Sequence, residues 1–138
     1  MSADPNAAAL RSERYERALA LLERLEAGAP GRVDASLREM ADDFAPIVLG
    51  FAFADVVSRP AIDLRTREML TVAALTAIGT AQGQLEFHIR AAMNVGATRE
   101  EIVEIILQMA VYAGVPAAMN GVTAAKQAFA GREEQTTG

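Results

Sequence analysis

An all-α fold of six or seven helices is what this sequence predicts, and three observations carry that prediction. Ala, Leu, Glu and Arg, all good helix formers, are abundant. Apolar residues recur every three or four positions along most of the chain. No stretch combines two-residue alternation with the β-branched enrichment of a strand. At 138 residues the length suits one domain with one core.

Each helix has its own signals. The first is expected from about Asn6 to Glu26, with Leu10, Ala18, Leu21, Leu22 and Leu25 as its buried stripe. Gly28, Pro30 and Gly31 should end it. Asp34 can cap a second helix running to about Asp43. Pro46 suits the first turn of an apolar third helix, "PIVLGFAFADVV". "SRPAID" breaks the chain, because a residue preceding proline is pushed out of helical geometry. Asp63 can cap the fourth helix, "LRTREMLTVAALTAI", which stops at Gly79, and residues 80–83 form a turn. The fifth helix stops at Gly96. Thr98 and Glu101 form a capping box ahead of "IVEIILQMAVY". Gly114 and Pro116 interrupt, a last helix "PAAMNGVTAAKQAFA" follows, and residues 132–138 are expected to be a disordered tail. The last two helices are apolar nearly all round, which calls for burial on several sides and favours contact between subunits.

Composition excludes several function classes. The net charge is −5 and basic residues are scattered, so nucleic acid is not an expected partner. The longest apolar run, around residues 69–81, is shorter than the ~20 residues of a membrane span. The first residues carry no hydrophobic signal region, so a cytoplasmic location is expected. Cysteine is absent, which rules out disulfides, thiolate nucleophiles and Cys-x-x-Cys redox pairs. No acidic spacing matches a metal-binding loop, and Asp42-Asp43 and Glu133-Glu134 read as solvated helix ends. Lys126 is the sole lysine and the other twelve basic residues are arginine. Arginine grips carboxylates in a two-pronged way and does not form imines.

His88 is the only histidine, on a helix beside Leu85 and Ile89. It reads either as a core histidine satisfied by backbone or hydroxyl groups, or as a proton-transfer residue, since imidazole is the side chain suited to that work near neutral pH.

"SRPAIDLRTREMLTVAALTAIG" followed by "LEFHIRAAMNVGATREEIVEIILQMAVYAGVPAAMNGVTAAKQAF" resembles the carboxymuconolactone decarboxylase family, which belongs with the alkylhydroperoxidase D-like proteins. The resemblance covers roughly residues 28–130. It implies an N-terminal helix over 1–27, the family domain over 28–131, and a ring-shaped homo-oligomer, trimer or hexamer. The peroxidase branch works through a Cys-x-x-Cys pair, yet this chain has Ala81-Gln82-Gly83-Gln84 there, so thiol peroxidase chemistry is excluded. His88 falls at the branch's relay histidine and Glu68 within one position of its glutamate.

The decarboxylase branch needs no cofactor. The resemblance therefore implies loss of carbon dioxide from 4-carboxymuconolactone, or a similar small anionic lactone, to give an enol-lactone. Such a site stabilises a developing dienolate, returns a proton to carbon and binds a spectator carboxylate. His88 and Glu68 are the expected catalytic residues; Arg65, Arg67 and Arg90 are the candidates for carboxylate binding. Arg65 and Arg67 lie on different helix faces, and Arg90 points away from His88. In a plain hairpin turning near residue 81, Glu68 and His88 sit about 9 Å apart along the axis. Glu68 could instead pair with Arg65. Two departures mark this chain: Val57 and Gln108 stand where decarboxylating members often carry tryptophan and histidine. They leave open another acid–base reaction on a small carbonyl compound, or a non-catalytic oligomeric binding protein.

Overall fold

The computed structural model describes residues 13–137, with side chains through Glu134, and shows seven α-helices and no strand among them. The chain divides between Ile62 and Asp63 into two compact units, where the length suggested a single core.

In the first unit, α1 (Glu13–Leu25) buries the expected Ala18, Leu21, Leu22 and Leu25. The expected start at Asn6 and the stripe residue Leu10 lie outside the described residues. Helix α2 spans Ala29–Arg38, so it begins five residues before Asp34 and ends before Asp43. The residues read as breakers start it: Gly28 takes φ 82°, and Pro30 occupies the first turn, where its fixed φ and missing N–H cost nothing. Asp34 is therefore not a cap. Its carboxylate accepts from the Tyr15 hydroxyl and from Arg38, tying α1 to α2.

Helix α3 (Phe44–Leu49) holds Pro46 in its first turn, as expected. It then widens into a π-helical segment over Gly50–Val57, where the Ser58 N–H reaches back five residues to the Phe53 carbonyl at 3.0 Å. Gly50 has a steric role in this segment. A Cβ there would fall 2.5 Å from the Arg14 guanidinium, which lies over the glycine and forks onto Asp55 at 2.8 and 2.6 Å.

The second unit is built from α4 (Leu64–Ile78), α5 (Gln82–Asn94), α6 (Arg99–Ala113) and α7 (Val115–Thr137). Its caps follow the sequence signals. The Asp63 side chain accepts from the Thr66 N–H at 2.7 Å, and Gly79 closes α4 in left-handed geometry. Thr98 and Glu101 exchange the two hydrogen bonds of the capping box at 3.0 and 3.1 Å. Val72, Leu85, Ile89, Ile102 and Ile106 pack with Ala124 and Ala128 as the core. Gly121 marks a close crossing: a Cβ there would lie 3.0 Å from both Ile106 Cγ2 and Thr76 Cγ2.

Helix α7 continues past Gly131 to Thr137, where a tail without helix was expected. Arg132 anchors the extension, donating to Asn94 Oδ1 of α5 at 3.2 Å. Among the described residues no helix is long and apolar enough to cross a membrane.

Candidate active site

The second unit brings Glu68 of α4 against His88 of α5, with His88 Nδ1 2.7 Å from Glu68 Oε2. The Glu68 side chain is 1% exposed and the His88 side chain 16%. Counting from the true helix ends shortens the expected separation by about a third. Glu68 lies ten positions before Ile78 and His88 six after Gln82, an offset of about 6 Å at 1.5 Å per residue, which an extended glutamate side chain spans. The pairing of Glu68 with Arg65 weighed from sequence is not formed.

The two imidazole nitrogens are placed differently. Nδ1 is held by the carboxylate, while Nε2 makes no hydrogen bond to any described residue. No buried side-chain nitrogen or oxygen among the described residues lacks a partner, so Nε2 opens to solvent. With Glu68 ionised, Nδ1–H donates to it, which fixes the tautomer and ring orientation and presents Nε2 outward. The Phe87 ring meets the imidazole edge-on at 5.0 Å between centroids and gives it an apolar flank. A buried carboxylate, an imidazole and an outward nitrogen are the parts of an acid–base relay.

Arg65 and Arg90 hold carboxylates of their own chain. Arg65 donates through Nε to the Gly96 carbonyl at 3.2 Å and through its terminal nitrogen to Glu101 Oε2. The Arg65 hydrogen bond, then the Thr98 N–H, hold the Glu101 carboxyl below its ordinary range. One carboxylate thus caps α6 and clamps it to the first turn of α4, one turn ahead of Glu68. The capping box was legible in sequence; the second use of Glu101 was not, because nothing in the spacing tells which helix start lies beside Gly96. Arg90 bonds Glu86 at 3.2 Å, lies over the Phe87 ring and packs against Gly131. Arg67, one residue before Glu68, is half-buried. Of the two departures, Val57 ends the π-helical segment half-buried, and Gln108 is exposed on α6.

A helical unit holding a buried carboxylate–imidazole pair, in a chain without cysteine, has the parts of an acid–base site and lacks the thiol pair of a thiol peroxidase. The chain belongs to the carboxymuconolactone decarboxylase family, whose sequence pattern matches residues 42–127. It is 35% identical to the 4-carboxymuconolactone decarboxylase of Acinetobacter baylyi over 120 residues, which cover 85% of this chain and 87% of that protein. It is also 36% identical over 84 residues to an uncharacterized 15.0 kDa protein from the nqo9–nqo10 intergenic region of Paracoccus denitrificans, covering 60% of this chain and 63% of that protein.

Proposed function

We propose that this chain is a carboxy-lyase that removes carbon dioxide from 4-carboxymuconolactone or a similar carboxylated unsaturated lactone, working as a homotrimer or homohexamer. The observation that carries this reading is the 2.7 Å contact between Glu68 and His88 in a chain so similar to a decarboxylase. The bond between the ring carbon and its carboxylate breaks, and the electron pair moves through the ring double bond onto the lactone carbonyl. The resulting dienolate takes a proton at carbon from His88 Nε2, leaving the enol-lactone, and solvent returns the proton to the imidazole. Glu68 is a positioning residue: it holds the ring through Nδ1 and so aims Nε2 outward. Arg67, half-buried on the helix that carries Glu68, is the arginine we assign to the spectator carboxylate, since the guanidinium fork suits that group. Arg65, committed to Glu101, serves the frame instead.

Val57 and Gln108 support a second reading, in which the same relay moves a proton on another small carbonyl substrate without losing carbon dioxide. The deciding experiment follows absorbance loss and carbon dioxide release with enzymatically generated 4-carboxymuconolactone, for wild type and His88→Gln. Turnover that falls at least ~10²-fold in the variant is expected for a positioned acid–base group. Wild-type turnover untouched by the substitution would return His88 to a packing role. No carbon dioxide from wild type would favour the second reading.

A further inference from the structure

A cavity of about 140 Å³ lies where the end of α5, the start of α6 and the far part of α7 meet, lined by Met93, Arg99, Phe129, Arg132 and Glu133. Neither Glu68 nor His88 borders it. Its walls are of two kinds. Met93 and Phe129 are apolar and pack against the core of the second unit. Arg99 and Arg132 bring two guanidiniums to one small space, where like charges repel. Arg99 has no carboxylate to offset it: among the described residues it makes neither hydrogen bond nor ion pair, and its guanidinium lies over the Phe129 ring, 4.7 Å from the centroid. Arg132 is pinned on one side, with Nε donating to Asn94 Oδ1 at 3.2 Å and Nη1 lying 3.9 Å from Met93 Sδ. Its Nη2, which carries two N–H groups, has no partner among the described residues.

We propose that this cavity is a second binding site, separate from the relay, for a small monocarboxylate with an apolar body of about six carbons. Guanidinium forks suit a planar carboxylate, and Arg99 has no internal acceptor competing for its donors. Stacking on Phe129 and the bond to Asn94 hold the two guanidiniums in place before anything binds, which lowers the ordering cost of binding. The volume sets the size of the body. An apolar cavity of about 150 Å³ accepts benzene, so a ring or chain of that size fills the space beside Met93 and Phe129. Charge sets the number of carboxylates. Glu133 also borders the cavity, so two cations stand against one anion, and a single added negative charge balances them. Phosphate or a dicarboxylate brings one charge too many. The carboxylated lactone, with its two carboxylates, is therefore a poor fit here. A bound monocarboxylate would bridge the first residue of α6 to the extension of α7 beyond Gly131.

The test is isothermal titration calorimetry of the whole chain at neutral pH and low salt. Benzoate is the probe, and benzamide is its uncharged counterpart. Wild type is expected to bind benzoate with a dissociation constant on the order of 1 mM, and benzamide and inorganic phosphate at least ~10-fold more weakly. Arg99→Ala, at an exposed position, should fold as wild type does and raise the benzoate constant at least ~10-fold. Arg99→Lys keeps the charge without the fork and should fall between the two. Arg132→Lys should weaken binding as well. Benzoate should raise the unfolding midpoint of wild type but not that of Arg99→Ala. His88→Gln should bind benzoate as wild type does. These binding measurements need no turnover, so their outcome is independent of the lactone assay. No saturable binding to wild type up to ~50 mM would overturn the site. An unchanged constant in both Arg99→Ala and Arg132→Lys would overturn it too, and so would loss of binding in His88→Gln, which would put the probe at the relay. Phosphate bound as tightly as benzoate would overturn the assignment to a monocarboxylate.

Discussion

The two units differ in the partner they give a buried carboxylate. In residues 13–62 Arg14 on Asp55 and Arg38 on Asp34 lie near water, and the buried Glu26 is met by an exposed Arg32. In residues 63–137 one contact, Glu68 with His88, is drawn into the packed interior. Surface pairs are screened and contribute little, so a sequence can drift through them. Burying a carboxylate against an imidazole carries a desolvation penalty that apolar residues of similar size would avoid. A pair whose two members are both largely withdrawn from water is a candidate for chemistry, and the proposed function rests on it.

The sharpest way to break this comparison is to strip the relay one half at a time. His88→Leu leaves the Glu68 carboxylate buried without its partner, an effect of about 3–5 kcal/mol in unfolding free energy. Glu68→Leu with His88→Leu together should recover most of that loss, because both polar groups are gone. Urea unfolding monitored by circular dichroism measures both. Neither variant should turn over lactone. A double variant no more stable than His88→Leu would mean that the pair is structural.

A smaller effect tests packing. Gly121→Ala places a methyl group 3.0 Å from Ile106 Cγ2 and Thr76 Cγ2, both deep in the second unit, and overpacking of this kind costs about 1–3 kcal/mol. Gly50→Ala in the first unit meets only the Arg14 guanidinium, a flexible end that can swing aside, with the fork onto Asp55 given up. The unfolding midpoint should drop clearly more for Gly121→Ala. Equal losses would erase the contrast between a close-packed unit and a surface-stitched one.

How much of this was legible in the sequence depended on the range of each interaction. The caps at Asp63 and Thr98 were readable because donor and acceptor lie three residues apart. The core stripe of α1 was readable for the same local reason. Pro30 and Gly31 misled because a glycine–proline run can end one helix or begin the next, and only the partner of Asp34 decides. The π-helical widening leaves no mark in the residue pattern. Glu68 and His88 were both picked out, but their contact was not: small changes in where each helix begins move the offset by several ångströms. Arg65 looked like a substrate ligand until its partner, 36 residues away, was visible.

The smallest effect compares two arginine clamps. Arg14 and Arg65 each hold a carboxyl below its ordinary range, Asp55 and Glu101 respectively, through a side-chain hydrogen bond. A carboxyl lowered on folding contributes stability above its ordinary, unfolded value, and that contribution fades as pH falls through the folded value. The difference between wild type and either arginine-to-alanine variant should therefore be full at neutral pH and shrink in acid. Both differences should also shrink with added salt. The clamps part company in catalysis. Arg65 fixes the first turn of α4 one turn ahead of Glu68, so Arg65→Ala should slow turnover, on the order of 10-fold, by letting the carboxylate that orients His88 shift. Arg14→Ala, whose clamp ties α1 to the π-helical segment of the first unit, should leave the rate unchanged. Equal rates for the two variants, measured at neutral pH and low salt, would mean that the Arg65 clamp does not position the relay.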